Sequence, residues 1–200
     1  MSLAYGLKNY NVIAVIGGPG AGKKTQCERI CKKYNYTYLN TGDMLKAEVK
    51  KDTARAAEIK KLMATNQLVS RDYIENIIMT SMIDAIQNGT KGFVMDGYPR
   101  DTAQAASFEK KFKAFKVIIF LDVSTPTLTK RLLAKGTATG RSDLTDEVVQ
   151  RRLRNFREIS MPFVENYKKK GLCIGINGEN PEDTVFNEMD AILSEKLKTV

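Results

Sequence analysis

Histidine is absent from the 200-residue sequence. Because an imidazole serves as the base in Ser-His and Cys-His nucleophilic chemistry, an enzyme built on this chain must work by another mechanism. Three cysteines occur, and their odd number argues against a disulfide framework. Cys27 and Cys31 lie four residues apart, on one face of a helix, but without histidine or a CxxC motif we expect no zinc site. Together with Cys173, they are predicted to be reduced, buried and small apolar side chains.

Long apolar runs are also missing. No segment approaches the roughly 20 apolar residues of a membrane helix, and the N-terminal stretch lacks the ordered regions of a signal peptide. We therefore expect a cytoplasmic protein without a membrane partner. The apolar content of 42% and the charged content of 28% are typical of soluble globular proteins, and the length suits one domain.

The positive charge has two interpretations. A formal net charge of +9 is compatible with a basic face for nucleic acid. It is equally compatible with a cationic cleft for small phosphorylated ligands and a solvated, lysine-rich surface. The lysines are scattered and no module of interleaved aromatic and basic residues occurs, so we favour the second interpretation and expect no nucleic-acid partner.

Short apolar runs alternate with longer segments of helical periodicity. The runs predict buried strands at 11–16, 36–39, 92–96, 117–123 and 172–176. Helices are predicted near 23–34, 41–50, 53–65, 70–88, 101–112, 125–134, 145–170 and 181–197. This alternation predicts an α/β fold with a mostly parallel sheet and ligands at the carboxyl ends of its strands. The Gly- and Thr-rich stretch KGTATGR, at 135–141, is predicted to be a mobile loop.

The stretch GGPGAGKKTQ, at 17–26, has the spacing of a phosphate-binding loop between a strand and a helix. Glycines let backbone N–H groups converge on an anion, and the helix N-terminus adds its positive dipole end. Lys23 would then reach the terminal phosphates. An ordinary glycine-rich turn is the alternative, and the position, spacing and lysine together disfavour it.

Lys24 stands where the general pattern has a Ser or Thr whose hydroxyl binds Mg²⁺. Lysine cannot serve as that ligand, and Thr25 comes one position late on the helix. Mg²⁺ would therefore be held by nucleotide oxygens, water and a carboxylate. Whether Lys24 contacts a phosphate or points to solvent stays open at this level.

A second motif, GFVMDGYPR, ends a predicted strand with Asp96 and continues to Arg100. The carboxylate can hold a Mg²⁺-bound water, and the guanidinium suits a phosphate. A turn-capping Asp and a surface Arg are the alternative. Further cations surround 135–141: Lys130, Arg131, Lys135, Arg141, Arg151, Arg152 and Arg154. They form either a solvated helix face or the charge compensation that two anionic nucleotides need in contact. A phosphate acceptor needs no general base.

The motifs GGPGAGK-x-TQ, TGDML-[K], NQLV, DGYPR-x3-Q and RLL-x2-G-x3-GR-x-D occur in order over nearly the whole chain. The sequence closely resembles the nucleoside monophosphate kinases, most closely the short-form cytosolic adenylate kinases. The resemblance implies a P-loop three-layer α/β/α fold with a five-stranded parallel sheet. It also implies a helical acceptor-binding insertion at 40–69 and a short lid at 134–144, without the zinc-bearing insertion of some relatives. The implied reaction is in-line phosphoryl transfer from MgATP to AMP, giving two ADP, by a monomer.

Residue roles follow from the resemblance, position by position. ATP would be bound by Gly18, Gly20, Ala21, Gly22, Lys23, Lys24, Thr25, Lys135 and Asn180, with Lys135 stacking on adenine and Asn180 acting through its backbone. AMP would be bound by Thr41, Lys46, Gln67, Leu68, Val69, Gly97, Tyr98, Arg100, Gln104, Arg141 and Arg152. Catalysis would depend on Lys23, Arg100, Arg131, Arg141 and Arg152, and Asp96 would hold Mg²⁺ through water.

Two alternatives accompany this interpretation. The UMP/CMP kinases have Ala where this chain has Thr41 and usually DGFPR for DGYPR, so both positions favour AMP. Several residues depart from the adenylate kinase pattern: Lys24 for Gly, Lys46 and Lys135 for Arg, Leu144 for a lid carboxylate, and Ser70 for Pro. Lysine lacks the bidentate fork of arginine, which predicts a slow or substrate-relaxed kinase. A catalytically weak nucleotide-binding or sensing protein is the second alternative.

Overall fold

A parallel β-sheet forms the centre of the fold, in a computed structural model that describes residues 7, 9–51, 53–64, 69–140 and 144–198, except the side chains at 63 and 64. Its five strands are β1 (Asn11–Gly17), β2 (Thr37–Asn40), β3 (Gly92–Asp96), β4 (Val117–Asp122) and β5 (Cys173–Asn177). They are ordered β2-β3-β1-β4-β5, and every neighbouring pair is parallel. The order reverses at β1, so the crevice for a ligand is expected at the carboxyl end of that strand.

Helices connect the strands. In chain order they are α1 (Lys23–Tyr34), α2 (Thr41–Glu48), α3 (Ala54–Ala64), α4 (Arg71–Gln87), α5 (Thr102–Lys111), α6 (Thr125–Ala138), α7 (Asp146–Asn155), α8 (Met161–Lys169) and α9 (Glu182–Lys196). A π-helical segment, Phe156–Ser160, joins α7 to α8. The helices α2 and α3 fall within the predicted insertion at 40–69 and are consistent with its helical character.

Apolar side chains pack on both faces of the sheet because successive strand residues point to opposite sides. Ile13 and Val15 join a cluster that includes side chains of α1, α6, α7 and α9. Ala14 and Ile16, on the other face, join a cluster with α5 and α8. A third cluster places Val12 against α4 and α5. The three-layer α/β/α arrangement predicted from the sequence is therefore confirmed.

The predicted loop at 135–141 is wrong in its first half, because α6 continues through Ala138 instead of ending near 134. The buried positions Leu128, Leu132 and Gly136 continue one helix face at intervals of four residues. The hydroxyl of Thr139 also bonds to the Lys135 carbonyl, at 2.7 Å, which satisfies a carbonyl near the helix end. The left-handed glycine follows later, at position 140, with φ +62°.

The predicted helix at 145–170 is continuous but not regular. Met161 N–H bonds to the carbonyl of Phe156, five residues earlier, which is the spacing of a π-helix. Before this wide turn, Val149 and Leu153 of α7 face the cluster on the α6 side of the sheet. After it, Phe163 of α8 faces the opposite cluster. The rod formed by α7 and α8 thus packs on both helical layers.

The three cysteines form no disulfide bond, as predicted. Cys27 and Cys173 are buried, and Cys31 is half-buried. Burial raises the pKa of Cys31 to about 12 and that of Cys173 to about 11, which keeps both thiols protonated at neutral pH. Among the helices of the described residues, none has the length and apolar content to cross a bilayer.

Candidate functional site

The loop between β1 and α1 has the backbone of an anion-binding turn. Gly20 and Gly22 adopt φ values of +87° and +89°, in the left-handed region that side chains with a Cβ rarely occupy. A Cβ at Gly20 would also lie 3.1 Å from Cγ of Leu132 on α6. The loop therefore lies against α6, and the N-terminal turn of α1 opens at its end, as the glycine spacing predicted. Within the predicted ATP set, Gly18 and Ala21 are buried, whereas Gly22, Lys24 and Thr25 are exposed.

Lys23 is half-buried and folds back over the loop. Its ammonium donates hydrogen bonds to the carbonyl oxygens of the first two loop glycines, at 2.9 and 3.0 Å. Burial lowers the pKa of Lys23, the negative charge of Asp96 opposes that effect, and the positive charges of Arg100 and Lys135 add to it. The structure therefore brings three other predicted site residues into electrostatic range of Lys23.

Asp96 ends β3 directly beside β1, where it pairs in register with Val15. It is 4% exposed, and its Oδ2 accepts hydrogen bonds from Tyr38 Oη at 2.7 Å and Asn40 Nδ2 at 2.9 Å. Burial and this carboxylate raise the pKa of Tyr38, so its hydroxyl remains a donor. These bonds hold a negative charge in place at the carboxyl end of the sheet.

The donor set fits Mg²⁺ held mainly by a bound nucleotide. In the part of the chain that the structure describes, no group of three or more Asp, Glu, His or Cys side chains converges to form a metal cage. Mg²⁺ characteristically takes one or two carboxylates with phosphate oxygens and water. Asp96 supplies one such carboxylate next to the glycine loop, with one of its two oxygens already occupied by Tyr38 and Asn40.

The turn after β3 gathers the predicted acceptor residues. Gly97 has φ +78°, and the peptide bond between Tyr98 and Pro99 is cis. The Gly97 carbonyl accepts bonds from Arg100 Nε at 3.1 Å and from Thr41 Oγ1 at 3.3 Å. The backbone N–H of Arg100 donates to Gln104 Oε1 at 2.9 Å. Four residues from three separate segments are thus connected by hydrogen bonds around one turn.

Arg100 is exposed, yet enough protein surrounds the guanidinium that burial lowers its pKa, with Asp96 opposing the effect. Arginine nevertheless stays charged at neutral pH. A fixed cation is therefore within electrostatic range of both Lys23 and a buried carboxylate.

A second carboxylate, Asp43, lies among the lysines that depart from the family pattern. Lys46 Nζ bonds to Asp43 Oδ1 at 2.9 Å, and Asn40 caps α2 by accepting a bond from the Asp43 N–H at 2.8 Å. The bond from Lys46 lowers the pKa of Asp43, and the charges of Lys24 and Lys135 lower it further. Three lysines on α1, α2 and α6 therefore act on one carboxylate. Lys24 also lies 3.7 Å from Glu28 and is exposed.

The remaining predicted residues contact other parts of the protein, are exposed or half-buried, or fall outside the described residues. Arg131 is half-buried and donates to the Gly178 carbonyl at 3.0 Å. The side chain of Asn180 bonds to Glu188 at 3.3 Å, and its backbone N–H donates to the Asn177 carbonyl at 3.4 Å. Arg152 and Lys135 are exposed, and Val69 is half-buried. Arg141, Gln67 and Leu68 fall outside the described residues.

Tyr98 occupies an unexpected position for a predicted acceptor residue. It is 1% exposed, and its hydroxyl lies 3.2 Å from both Glu75 Oε1 and the Gln104 carbonyl oxygen. Any direct contact between Tyr98 and a nucleotide would therefore come from its backbone.

Tyr38, Asn40 and Glu75 were missed in the sequence analysis. For the first two, a signal exists, because polar residues two apart at the end of a strand point to the same face. Tyr38 and Asn40 are such a pair, and both bond to Asp96. Glu75 gives no comparable local signal, since its partners lie on other elements.

Comparisons with known proteins agree with this geometry. Residues 15–172 match the family described as "Adenylate kinase". The chain is 38% identical to adenylate kinase isoenzyme 1 of Sus scrofa over 183 residues, which cover 92% of this chain and 94% of that protein. It is 38% identical to adenylate kinase isoenzyme 1 of Caenorhabditis elegans over 88% of this chain and 83% of that protein. For the protein of the same name from Gallus gallus, the identity is 37% over 94% of this chain and 96% of that protein.

Proposed function

The chain belongs to the adenylate kinase family of phosphotransferases, and on that premise we propose that it transfers a phosphoryl group reversibly from MgATP to AMP, giving two ADP. The observation that carries this proposal is the meeting of Lys23, Asp96 and Arg100 at the adjoining carboxyl ends of β1 and β3. Fixed charges in one cleft are what the contact of two anionic nucleotides requires.

On the donor side, the glycine loop and Lys23 would hold the phosphates of ATP. Without a nucleotide, the Lys23 ammonium bonds to two loop carbonyls. Phosphate oxygens are charged acceptors and would replace these neutral partners with stronger bonds. The negative charge of the nucleotide would also offset the burial that lowers the pKa of Lys23. The ammonium is therefore already positioned at the loop before the ligand binds.

On the acceptor side, Arg100 would bind the phosphate of AMP and Gln104 the adenine edge. Their mutual hydrogen bond at 2.9 Å fixes the spacing between these two contacts. Thr41 is 4% exposed and bonds to the Gly97 carbonyl, so it would shape the base site more than enter it. Lys46, on α2, would approach the acceptor phosphate as a point charge.

Transfer requires no proton abstraction, because the attacking group is already a phosphate anion. Asp96 would hold Mg²⁺ through water, and the ion would supply positive charge that neutralises part of the phosphate charge. The protein's own contribution is to position both phosphates, exclude water and supply cations. We propose Lys23, Arg100, Arg131, Arg141 and Arg152 for this last role. We also propose that the protein is a cytoplasmic monomer and that residues 134–144 form its lid.

An acceptor panel tests the proposal against its alternatives. ADP formation is followed by a coupled assay with MgATP and AMP, UMP, CMP or GMP as acceptor. We expect AMP to have the highest kcat/KM, by about tenfold or more. Preference for UMP or CMP would instead assign the chain to the alternative kinase activity. Tight binding of ATP and AMP with negligible turnover would identify the weak nucleotide-binding protein.

A further inference from the structure

Tyr98 links the acceptor turn to the helical layer behind it. Its ring packs edge-on against Phe108, with centroids 5.9 Å apart and planes at 65°. Its hydroxyl reaches Glu75 on α4 and the backbone of Gln104 on α5, both at 3.2 Å. The one atom that distinguishes tyrosine from phenylalanine is thus bonded within the protein, behind the turn that carries Arg100.

Glu75 is a buried carboxylate in a position where the pattern of α4 calls for an apolar side chain. The buried residues of this helix are Glu75, Ile78 and Met82, which form one stripe at intervals of three and four. Glu75 is 1% exposed, and its Oε2 pairs with Lys111 Nζ at 2.5 Å. The Lys111 side chain is 46% exposed, so only the carboxylate is buried, and removing a carboxylate from water costs free energy that an apolar side chain would not. The presence of Glu75 here is therefore better explained by what it orients than by stability.

A continuous polar chain connects this carboxylate to the acceptor turn. Lys111 holds Glu75, and Glu75 accepts the hydroxyl of Tyr98, which also lies against the Gln104 carbonyl. The side chain of Gln104 in turn accepts the backbone N–H of Arg100. Burial of Tyr98 raises the pKa of its phenol, and the negative charge of Glu75 raises it further, so the phenol remains a donor throughout the physiological range.

We infer that Glu75 and Tyr98 are positioning residues that hold Gln104 and Arg100 at the spacing of the acceptor nucleotide and thereby set acceptor selectivity. This inference rests on the proposed roles of Gln104 and Arg100. Neither positioning residue touches the nucleotide with its side chain. The single proton of the Tyr98 hydroxyl is shared between Glu75 and the Gln104 carbonyl, and the Gln104 side chain bonds to the backbone of Arg100. The effect of the two positioning residues therefore concerns the acceptor and leaves the ATP site unchanged.

Tyr98→Phe tests the inference, because it removes one oxygen atom and keeps the packing of the ring. We expect the KM for AMP to rise about five- to tenfold, from the loss of a bond to a charged group. The KM for ATP should stay within about twofold of its original value, and the preference for AMP over UMP and CMP should fall with the AMP affinity. Glu75→Gln should act in the same direction. The two changes together should be less than additive, because they remove the same contact.

Tyr167→Phe is the matched control. Tyr167 is also buried, at 4% exposure, and its hydroxyl bonds to Glu109 at 3.4 Å, on the face covered by α8. This variant should leave the KM values for both nucleotides unchanged. The inference is overturned if Tyr98→Phe lowers only the melting temperature, or changes the two KM values equally. If the unmodified protein prefers another acceptor, the proposed function fails, and a loss of selectivity for that acceptor in Tyr98→Phe would still support the positioning role.

Discussion

Replacing Lys46 by arginine should improve binding of the acceptor. Lys46 carries its charge and its three N–H donors on one nitrogen, which bonds to the carboxylate of Asp43 at 2.9 Å. A phosphate arriving at this position would share that one nitrogen with Asp43. A guanidinium can keep the carboxylate on one arm and offer the other arm to the phosphate. The change therefore adds an interaction and keeps part of the existing one.

The size of the expected gain in AMP affinity follows from the solvent exposure of Lys46 and Asp43. The side chains of Lys46 and Asp43 are 60% and 50% exposed, so their mutual contact contributes about 0.2–1 kcal/mol. A second, charge-assisted hydrogen bond contributes about 1.5–3 kcal/mol, and exposure places this case at the lower end of that range. After partial loss of the Asp43 contact, a net gain of about 1 kcal/mol remains, which is about fivefold in affinity.

The two KM values are measured from initial rates. In one series AMP is varied at saturating MgATP, and in the other MgATP is varied at saturating AMP. Lys46→Arg should lower the KM for AMP about fivefold and leave the KM for ATP unchanged. Lys51→Arg is the matched control, because Lys51 forms the same type of pair with Glu48, three residues before it and near the end of α2. An unchanged KM for AMP in Lys46→Arg, or an equal decrease in both variants, would refute the reasoning.

Two further predictions concern the loop lysine and the α1–α9 contact. Lys23→Met should reduce kcat/KM by at least about 10²-fold, since its ammonium is the cation bonded within the glycine loop; a far-ultraviolet circular dichroism spectrum like that of the unmodified protein, with activity within tenfold, would contradict this. Asp190→Asn should lower the free energy of unfolding at pH 7 by about 1 kcal/mol, because the carboxylate accepts bonds from Lys33 and Tyr34. The bond from Lys33 lowers the pKa of Asp190 in the folded protein. The carboxylate therefore stabilises the fold at pH values above the ordinary pKa of aspartate, and this stabilisation disappears as the pH falls through the lowered pKa. Urea unfolding at pH 7 and at several values below about pH 4 should show the free energies of unfolding of the two proteins converging at low pH. A difference that stays constant with pH would count against this assignment.

The buried strands were predictable because their signal is local. Val12 to Ile16 form a run too apolar for a surface, and such a run in a parallel sheet keeps its character on both faces. The glycine loop follows β1 and Asp96 ends β3, so their position at one edge of the sheet was predictable without knowledge of any side-chain contact. The alternation of strands and helices predicted an α/β fold with a mostly parallel sheet, and the observed sheet confirms it.

The site's supporting contacts were not predictable in the same way. Glu75 meets Tyr98 and Lys111, which are 23 and 36 residues away in the sequence, and no local pattern links these positions. The error at 135–138 had another cause. The glycines of KGTATGR indicate a loop, but Gly136 continues the buried helix face of Leu128 and Leu132. The helical periodicity of these three positions was the stronger signal.

The wide turn at Phe156–Ser160 behaves as one residue added to an otherwise regular rod. Because the extra residue is taken up within one wide turn, the helix beyond keeps the direction that it would have without that residue. The same extra residue wound as regular α-helix would rotate everything beyond by about 100° relative to everything before, and Arg152, which is exposed, and Phe163, which is buried in the opposite layer, could not both keep their present directions. The wide turn therefore preserves the angular phase between a predicted transition-state arginine and the core that anchors it.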